Sequence, residues 1–310
     1  MQVGVTEERQ AVLTETRRSA QLITYVDARK PIIQAVAHSD GIGAWDLTLQ
    51  LLLHVPRLVV NGSFPDDVVF VREAERLGRI VAFRQHPYDD LQRPPLHPIK
   101  SPHDLETAWI DEEEACIIHE RFHYLASFRE NSLHFGLRMK DDKRVVALLS
   151  LSPYDLGHLT PKLPDAVAAS EVAVLSRVYS FDWAPRNTLS YAMGQLFKAV
   201  RGDQHRLKMI LTYLNPNVGF GGASYRAANW TLFGREWGTH YAYLDGNYVT
   251  DRSLRQCYGT SDAAPLRLLL GSRFKTNGME LDPLLLYAFV LDRHLAREHP
   301  ADFDIDVRLP

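Results

Sequence analysis

The sequence predicts an α/β protein: a mixed sheet with flanking helices, plus an additional, mostly helical N-terminal segment. Three observations carry this. Strand-like and helix-like runs alternate after residue 105, the pattern of a sheet crossed by helices. The stretch before residue 84 is dominated by runs with helical periodicity. Between them, residues 84–102 (RQHPYDDLQRPPLHPIKSP) carry five prolines. Proline removes a backbone donor and fixes φ, so no regular helix or central strand is expected there.

The elements follow in order. Residues 5–22 are rich in Glu, Arg and Ala and read as helix. WDLTLQLLLHV (45–55) is apolar on most faces and suits a buried helix. DDVVFVREAERLGRIVAF (66–83) reads as a helix with acidic residues at its start, where the dipole favours them, and then a short strand. The proline-rich stretch is taken as a linker, dividing a helical segment (1–105) from a domain spanning 106–310.

In that domain, DEEEACIIHERFHYLAS (111–127) is a helix with an acidic first turn. SLHFGLRMKDDKRVVALLSLSPY (132–154) is a hairpin turning on Lys140–Lys143. SEVAVLSRVYSF (170–181) is a strand, DWAPRN a turn, and TLSYAMGQLFKAVRG (188–202) a helix closed by glycine. LKMILTYL (207–214) is a strand, GGASYRAAN (221–229) a short helix, WGTHYAYLDGNYV (237–249) one or two strands, and LDPLLLYAFVLDR (281–293) the final strand.

Composition narrows the class. The 310 residues are 45% hydrophobic and 24% charged, a globular mix. No apolar run reaches the ~18 residues of a membrane span. The polar N-terminus has no secretory h-region, and two cysteines, Cys116 and Cys257, suit a reducing compartment; a cytoplasmic protein is expected. The net charge of −3 is uneven. Residues 1–120 hold 12 Lys/Arg against 19 Asp/Glu, residues 121–210 hold 13 against 8, and residues 211–310 hold 10 against 11. The basic middle third is the part suited to an anion such as a phosphate or nucleic acid.

Two strand–loop–helix units stand side by side in the sequence. In the first, the loop before Thr188 presents a helix N-terminus, which binds anions through unpaired N–H groups and the dipole. Arg186 adds charge, and Asn187 or Thr188 is a candidate cap. In the second, Asn-Pro and a glycine cluster (Gly219, Gly221, Gly222) lead into a helix carrying Tyr225. Parallel strands splaying apart between the two units would open a slot for a ligand. A tyrosine aimed into it can donate a proton to a leaving thiolate or alkoxide. A core tyrosine with a satisfied hydroxyl is the structural alternative.

This order of elements resembles the GNAT N-acyltransferase fold, in which the loop after the fourth strand cradles the pyrophosphate of acyl-CoA. The GNAT glycines are replaced here by WAPRNTLSYAMG. The combination resembles the Mom family of bacteriophage Mu, GNAT-like enzymes that modify adenine in DNA. Ser176-Arg177, the helix start Pro185, Asn187, Thr188, Ser190, Tyr191, and the strand end Thr212, Tyr213, Pro216 carry it. So do Gly222, Tyr225, Ala227, Asn229, Trp230 and the earlier His123-Tyr124-Leu125. The likeness covers about 180 residues, and where relatives tend to have Asp this chain has Asn215.

The resemblance implies a catalytic set of Tyr225, Ser190, Arg177 and Asn215. It implies acyl-CoA as cofactor, held by Arg186, Asn187, Thr188, Gly221 and Gly222, and DNA as the substrate partner. Tyr225 would protonate the leaving group, and a base in duplex DNA would first be flipped out. Trp183, Tyr191 and Trp230 are candidates to stack on it. A catalytically dead GNAT-like binding module is one alternative, and two enzyme alternatives stay open beside it. One is a GNAT enzyme acting on a small molecule or peptide. The other follows from HERFH (119–123), which matches His-Glu-x-x-His and makes His119 and His123 candidate metal ligands. They would serve a metal-dependent hydrolase, or iron or another divalent metal beside the transferase pocket.

Overall fold

The computed structural model describes residues 19–202 and 206–292 and the strand 305–308. Four helices open it: α1 (residues 19–27), α2 (Lys30–Asp40), α3 (Ala44–His54) and α4 (Asp67–Gln85). α3 is buried on nearly every face, as its apolar composition requires. α4 starts where the Asp66 side chain accepts from the Val69 N–H at 2.9 Å. The expected short strand at its end does not form. Phe70, Ala74, Leu77 and Val81 are all buried, a helical repeat that runs unbroken through the apolar segment, while Phe83 projects into solvent. These helices share a core with residues from the far end of the chain, including Val218, Tyr241, Tyr243 and Leu281.

The proline-rich stretch holds a single 3-10 turn (His86–Tyr88) and the one-turn helix α5 (Asp89–Gln92), then runs irregularly to Ser101. Next come β1 (Glu106–Ile110), a strand the sequence reading missed, and α6 (Glu112–Arg121), whose N-cap Asp111 accepts from Glu114 N–H at 2.8 Å. The expected hairpin is β2 (Leu133–Arg138) and β3 (Val145–Pro153). β4 (Val172–Ser180), α7 (Thr188–Gly202), β5 (Met209–Leu214), α8 (Ala223–Ala227) and β6 (Thr231–Trp237) follow.

An insertion then interrupts the sheet: β7 (Ala242–Leu244), β8 (Asn247–Val249), α9 (Asp251–Tyr258), α10 (Ala263–Leu270) and β9 (Phe274–Thr276). Its three strands form a separate sheet in the order β8-β7-β9, around a small core of Ala242, Leu254, Leu266 and Phe274. The segment expected to be the final strand is β10 (Leu284–Val290), and it lies inside the sheet. β11 (Ile305–Arg308) follows it and pairs in parallel with β6.

The large sheet has the order β1-β2-β3-β4-β5-β10-β6-β11. β4 and β5 run parallel, but only Val172–Val174 pair with Met209–Leu211. Beyond that point β4 stays with β3 as far as Ser180 and β5 stays with β10 as far as Leu214. The two strands therefore part midway and leave a V between them.

Candidate active site

The V is the mouth of a cavity of about 450 Å³. β4 supplies Ser176 and Arg177, β5 supplies Thr212 with Asn215 just beyond its end, and α8 with the loop before it supplies Gly221, Gly222 and Tyr225. The loop after α6 adds His123 and Tyr124, and the insertion adds Tyr248.

The glycines before α8 have separate jobs. Asn215 follows β5, and its Oδ1 accepts from the Asn217 backbone N–H at 3.0 Å, starting a 3-10 turn over Pro216–Val218. That turn closes at Gly219, with φ +84°. Gly222 sits at φ +70° and is the N-cap of α8. A Cβ there would lie 2.7 Å from the Tyr287 hydroxyl. Gly221 has no such constraint, since a Cβ would meet nothing within 4 Å; it simply leaves open space at the cavity edge.

Tyr225 projects from α8 against Tyr287 (ring centroids 5.8 Å apart) and edge-on to Trp230 (5.4 Å). Burial pushes its pKa up to about 12, with the neighbouring Thr212 hydroxyl opposing the rise. Thr212 gives its own proton to the Leu175 carbonyl at 2.8 Å. The phenol is therefore fully protonated at neutral pH, the state a proton donor needs.

Arg177 carries the positive charge. Its guanidinium donates to the Ser127 carbonyl (3.2 Å), the Ser127 hydroxyl (2.7 Å) and the Ser176 carbonyl (2.7 Å). No carboxylate among the described residues pairs with it. Burial pulls its pKa down, Tyr124 and Tyr248 act to raise it, and the nearby cations Arg129 and Arg252 act to lower it. Arg129 has a counter-ion in Asp155. Arg177 thus remains a positive charge with donors to spare, facing a cavity.

Asn215 lines the same cavity, but its amide is committed. Its Oδ1 also accepts from Asn217 Nδ2 at 3.0 Å, and its Nδ2 donates to the Tyr241 hydroxyl at 2.7 Å. Here it orders the loop. Arg186, Asn187, Thr188 and Ser190 gather at the start of α7, outside the lining, where α7 contributes Leu189 and Met193. Arg186 and Asn187 are exposed, the buried Thr188 donates its hydroxyl to the Pro185 carbonyl, and Ser190 donates to the Asn187 carbonyl at 3.0 Å.

The metal expectation at His119 and His123 finds no support in the structure. α6 ends at Arg121, so His123 lies beyond the helix. His119 is fully buried while Glu120 is exposed, which separates the parts of the His-Glu-x-x-His motif. His119 Nε2 lies 2.6 Å from the Ser150 hydroxyl, which His134 Nδ1 also contacts at 2.7 Å, and His123 Nδ1 accepts from the Leu125 N–H at 3.2 Å. Burial, reinforced by the charge of Arg177, holds His119 down to about 3 and His123 well below its usual value. A cation would meet the same repulsion. Among the described residues no group of three His, Cys, Asp or Glu side chains is arranged to hold a metal ion, so neither the hydrolase reading nor iron or another divalent metal is supported.

The stacking candidates also move. Trp230 is buried beside Phe197 and Phe289, Trp183 stacks on Phe181, and Tyr191 meets His103 edge-on. The aromatic side chains that line the cavity include Tyr124, Tyr213, Phe220 and Tyr248, beside Tyr225 itself. Tyr124 was visible through the His-Tyr-Leu resemblance. Nothing in the sequence pointed to Tyr248, which reaches the site from the insertion.

A family model described as the Mom protein family matches residues 104–294. The chain belongs to the Mom family. The Mom match takes in Tyr124, Arg177, Asn215, Tyr225 and Tyr248, and leaves α1–α4 outside it. Among solved structures, this chain is similar to spermidine/spermine N-acetyltransferase SpeG from Vibrio cholerae, with 7% identity, 64% of this chain and 99% of that one covered, and a TM-score of 0.37. It is also similar to the ribosomal-protein-S18-alanine N-acetyltransferase from Escherichia coli, with 10% identity, 61% and 94% covered, and a TM-score of 0.33. Likeness this distant carries no conclusion about donor or acceptor. No curated protein matches the chain.

Proposed function

We propose that this Mom-family protein is an acyltransferase that moves an acyl-type group from a thioester donor, acyl-CoA, to the exocyclic amine of adenine in DNA. The observation that carries the reading is the pairing, in one cavity between β4 and β5, of a protonated tyrosine with a cation that has no carboxylate partner among the described residues. The amine nitrogen attacks the thioester carbonyl. The N–C bond forms, the C–S bond breaks, Tyr225 gives its proton to the departing sulfur, the amine releases one proton to solvent, and solvent returns one to Tyr225. Arg177 is suited to the carbonyl oxygen as it gains charge, or to a phosphate beside the target base. Arg186, Asn187, Thr188 and Ser190, at the start of α7, are assigned to the donor's phosphates, and Gly221 and Gly222 to the close approach of its chain. Asn215 shapes the loop against which the acceptor rests.

A cavity of about 450 Å³ admits one base and not a duplex, so the target adenine must leave the stack. Family membership supports DNA as the acceptor. The testing experiment is mass spectrometry of nucleosides from cells expressing the protein, beside cells expressing Tyr225→Phe. A new adenine-derived mass with the first and none with the second is expected, and the shift identifies the transferred group. An active transferase that leaves DNA unchanged would point to a small-molecule or peptide acceptor instead.

A further inference from the structure

Helix α3 precedes the part of the chain that matches the family, yet it touches the cavity wall at two points. Gln50 and His54 stand one turn apart on α3 among buried leucines, and are themselves 8% and 4% exposed. Buried polar groups on an apolar helix are costly unless bonded. Gln50 Nε2 donates to the Tyr124 carbonyl at 2.8 Å. His54 Nε2 accepts from the Tyr248 backbone N–H at 3.1 Å. Since Nε2 is the acceptor, the proton sits on Nδ1, which lies 2.8 Å from the Gln50 carbonyl and donates to it. Two more bonds fasten the insertion to the same region: Tyr243 hydroxyl to the Leu53 carbonyl (2.6 Å) and Gly278 N–H to the Pro56 carbonyl (2.7 Å).

The two residues held this way, Tyr124 and Tyr248, both line the cavity. Tyr124 and Tyr248 both act electrostatically on Arg177, and Tyr225 acts in turn on Tyr124. They come from distant segments with no strand pairing between them, and α3 bonds to both. We infer that α3 is part of the active site, with Gln50 and His54 as positioning residues that fix Tyr124 and Tyr248 as the wall receiving the planar acceptor base. The inference rests on the transferase reading given above. Simple packing would need only an apolar helix; the two polar side chains add direction, each aimed at the backbone of one cavity tyrosine.

The test uses the full chain with Gln50→Leu, His54→Leu and His54→Gln. A glutamine oxygen can occupy the position of Nε2 and restore the acceptor. At a temperature where thermal melting shows every variant folded, each is titrated against a duplex oligonucleotide with 2-aminopurine replacing one adenine. The two leucine variants are expected to weaken the fluorescence-detected affinity about tenfold each, and His54→Gln to recover most of it. Wild-type affinity in both leucine variants overturns the inference. If the wild-type protein itself gives no fluorescence change, the DNA reading fails, and amide exchange over residues 246–250 decides the positioning role separately. His54→Leu must then lose protection at Tyr248 that His54→Gln retains; equal protection in all three proteins overturns it.

Discussion

Arg177 and Ser127 are joined twice: Nε donates to the serine carbonyl at 3.2 Å and one terminal nitrogen donates to its hydroxyl at 2.7 Å. A side chain on a central strand thereby pins the loop between α6 and β2, the loop that carries His123 and Tyr124 into the cavity. With a third bond to the Ser176 carbonyl, three of the five guanidinium donors are engaged and two remain for a ligand.

Arg177→Lys should therefore fail although it keeps the charge. An ammonium cannot span both Ser127 groups and still face the cavity. The expected loss of transfer rate is about a hundredfold or more. Ser127→Ala removes one bond and leaves the carbonyl contact, so a loss of under about tenfold is expected. Transfer rates for the two variants, measured with melting temperatures, check the ordering.

Tyr225→Phe should fold normally and lose about 10²- to 10⁴-fold in turnover, the usual span for a general acid. Its pKa of about 12 adds a pH signature. The donor form is the protonated one, and a raised value keeps it populated well into the alkaline range. The wild-type rate should show no alkaline fall from this residue up to about pH 10. A fall near pH 8 that persists with saturating donor would assign the proton to another group.

Much of this architecture was legible before the fold was seen. Strand, turn and helix at 172–202 and again at 209–227 are marked by apolar runs, Asn-Pro and glycine, which are local signals. The V between β4 and β5 followed from their parallel order. What was not legible depends on tertiary partners. β1 is a short strand with alternating burial whose pattern makes sense only beside β2. The His-Glu-x-x-His match fails because the helix ends at Arg121, so that His123 lies beyond it, and because His119 is buried while Glu120 is exposed, none of which a five-residue motif shows. Tyr248 and the role of α3 arise from packing between segments almost two hundred residues apart.

Acid should destabilise the protein through His54. Burial holds its folded pKa near 4 against an ordinary 6.5, with Glu73 acting to raise it and Arg76 and Arg57 to lower it. A base with a depressed pKa contributes its stability fully above the unfolded value. That contribution is lost as pH falls from about 6.5 to about 4, by on the order of 3 kcal/mol. Asp46 runs the other way over much of this window, since burial raises it to about 6 and folding favours its protonated form. The overall slope therefore does not isolate His54. The difference in unfolding free energy between wild type and His54→Gln, followed from pH 7 to pH 4, does: it should shift in favour of the variant as pH falls.

Gly222→Ala should damage the site from behind. The position has φ +70°, where an L-residue costs about 1–2 kcal/mol. The added methyl would also lie 2.7 Å from the Tyr287 hydroxyl. Tyr287 stacks on Tyr225, so a shift of one ring moves the other. The expected result is a lower melting temperature together with a lower rate. Gly221→Ala, one residue earlier, meets nothing within 4 Å and should melt like wild type. The two causes at Gly222 separate in a double variant. Tyr287→Phe deletes the hydroxyl that the methyl strikes, so adding it to Gly222→Ala should recover part of the rate while leaving the backbone cost in the melting temperature. Strict additivity of the two substitutions in rate would mean that the Tyr287 hydroxyl is not what the methyl disturbs, leaving backbone strain at the α8 N-cap as the cause.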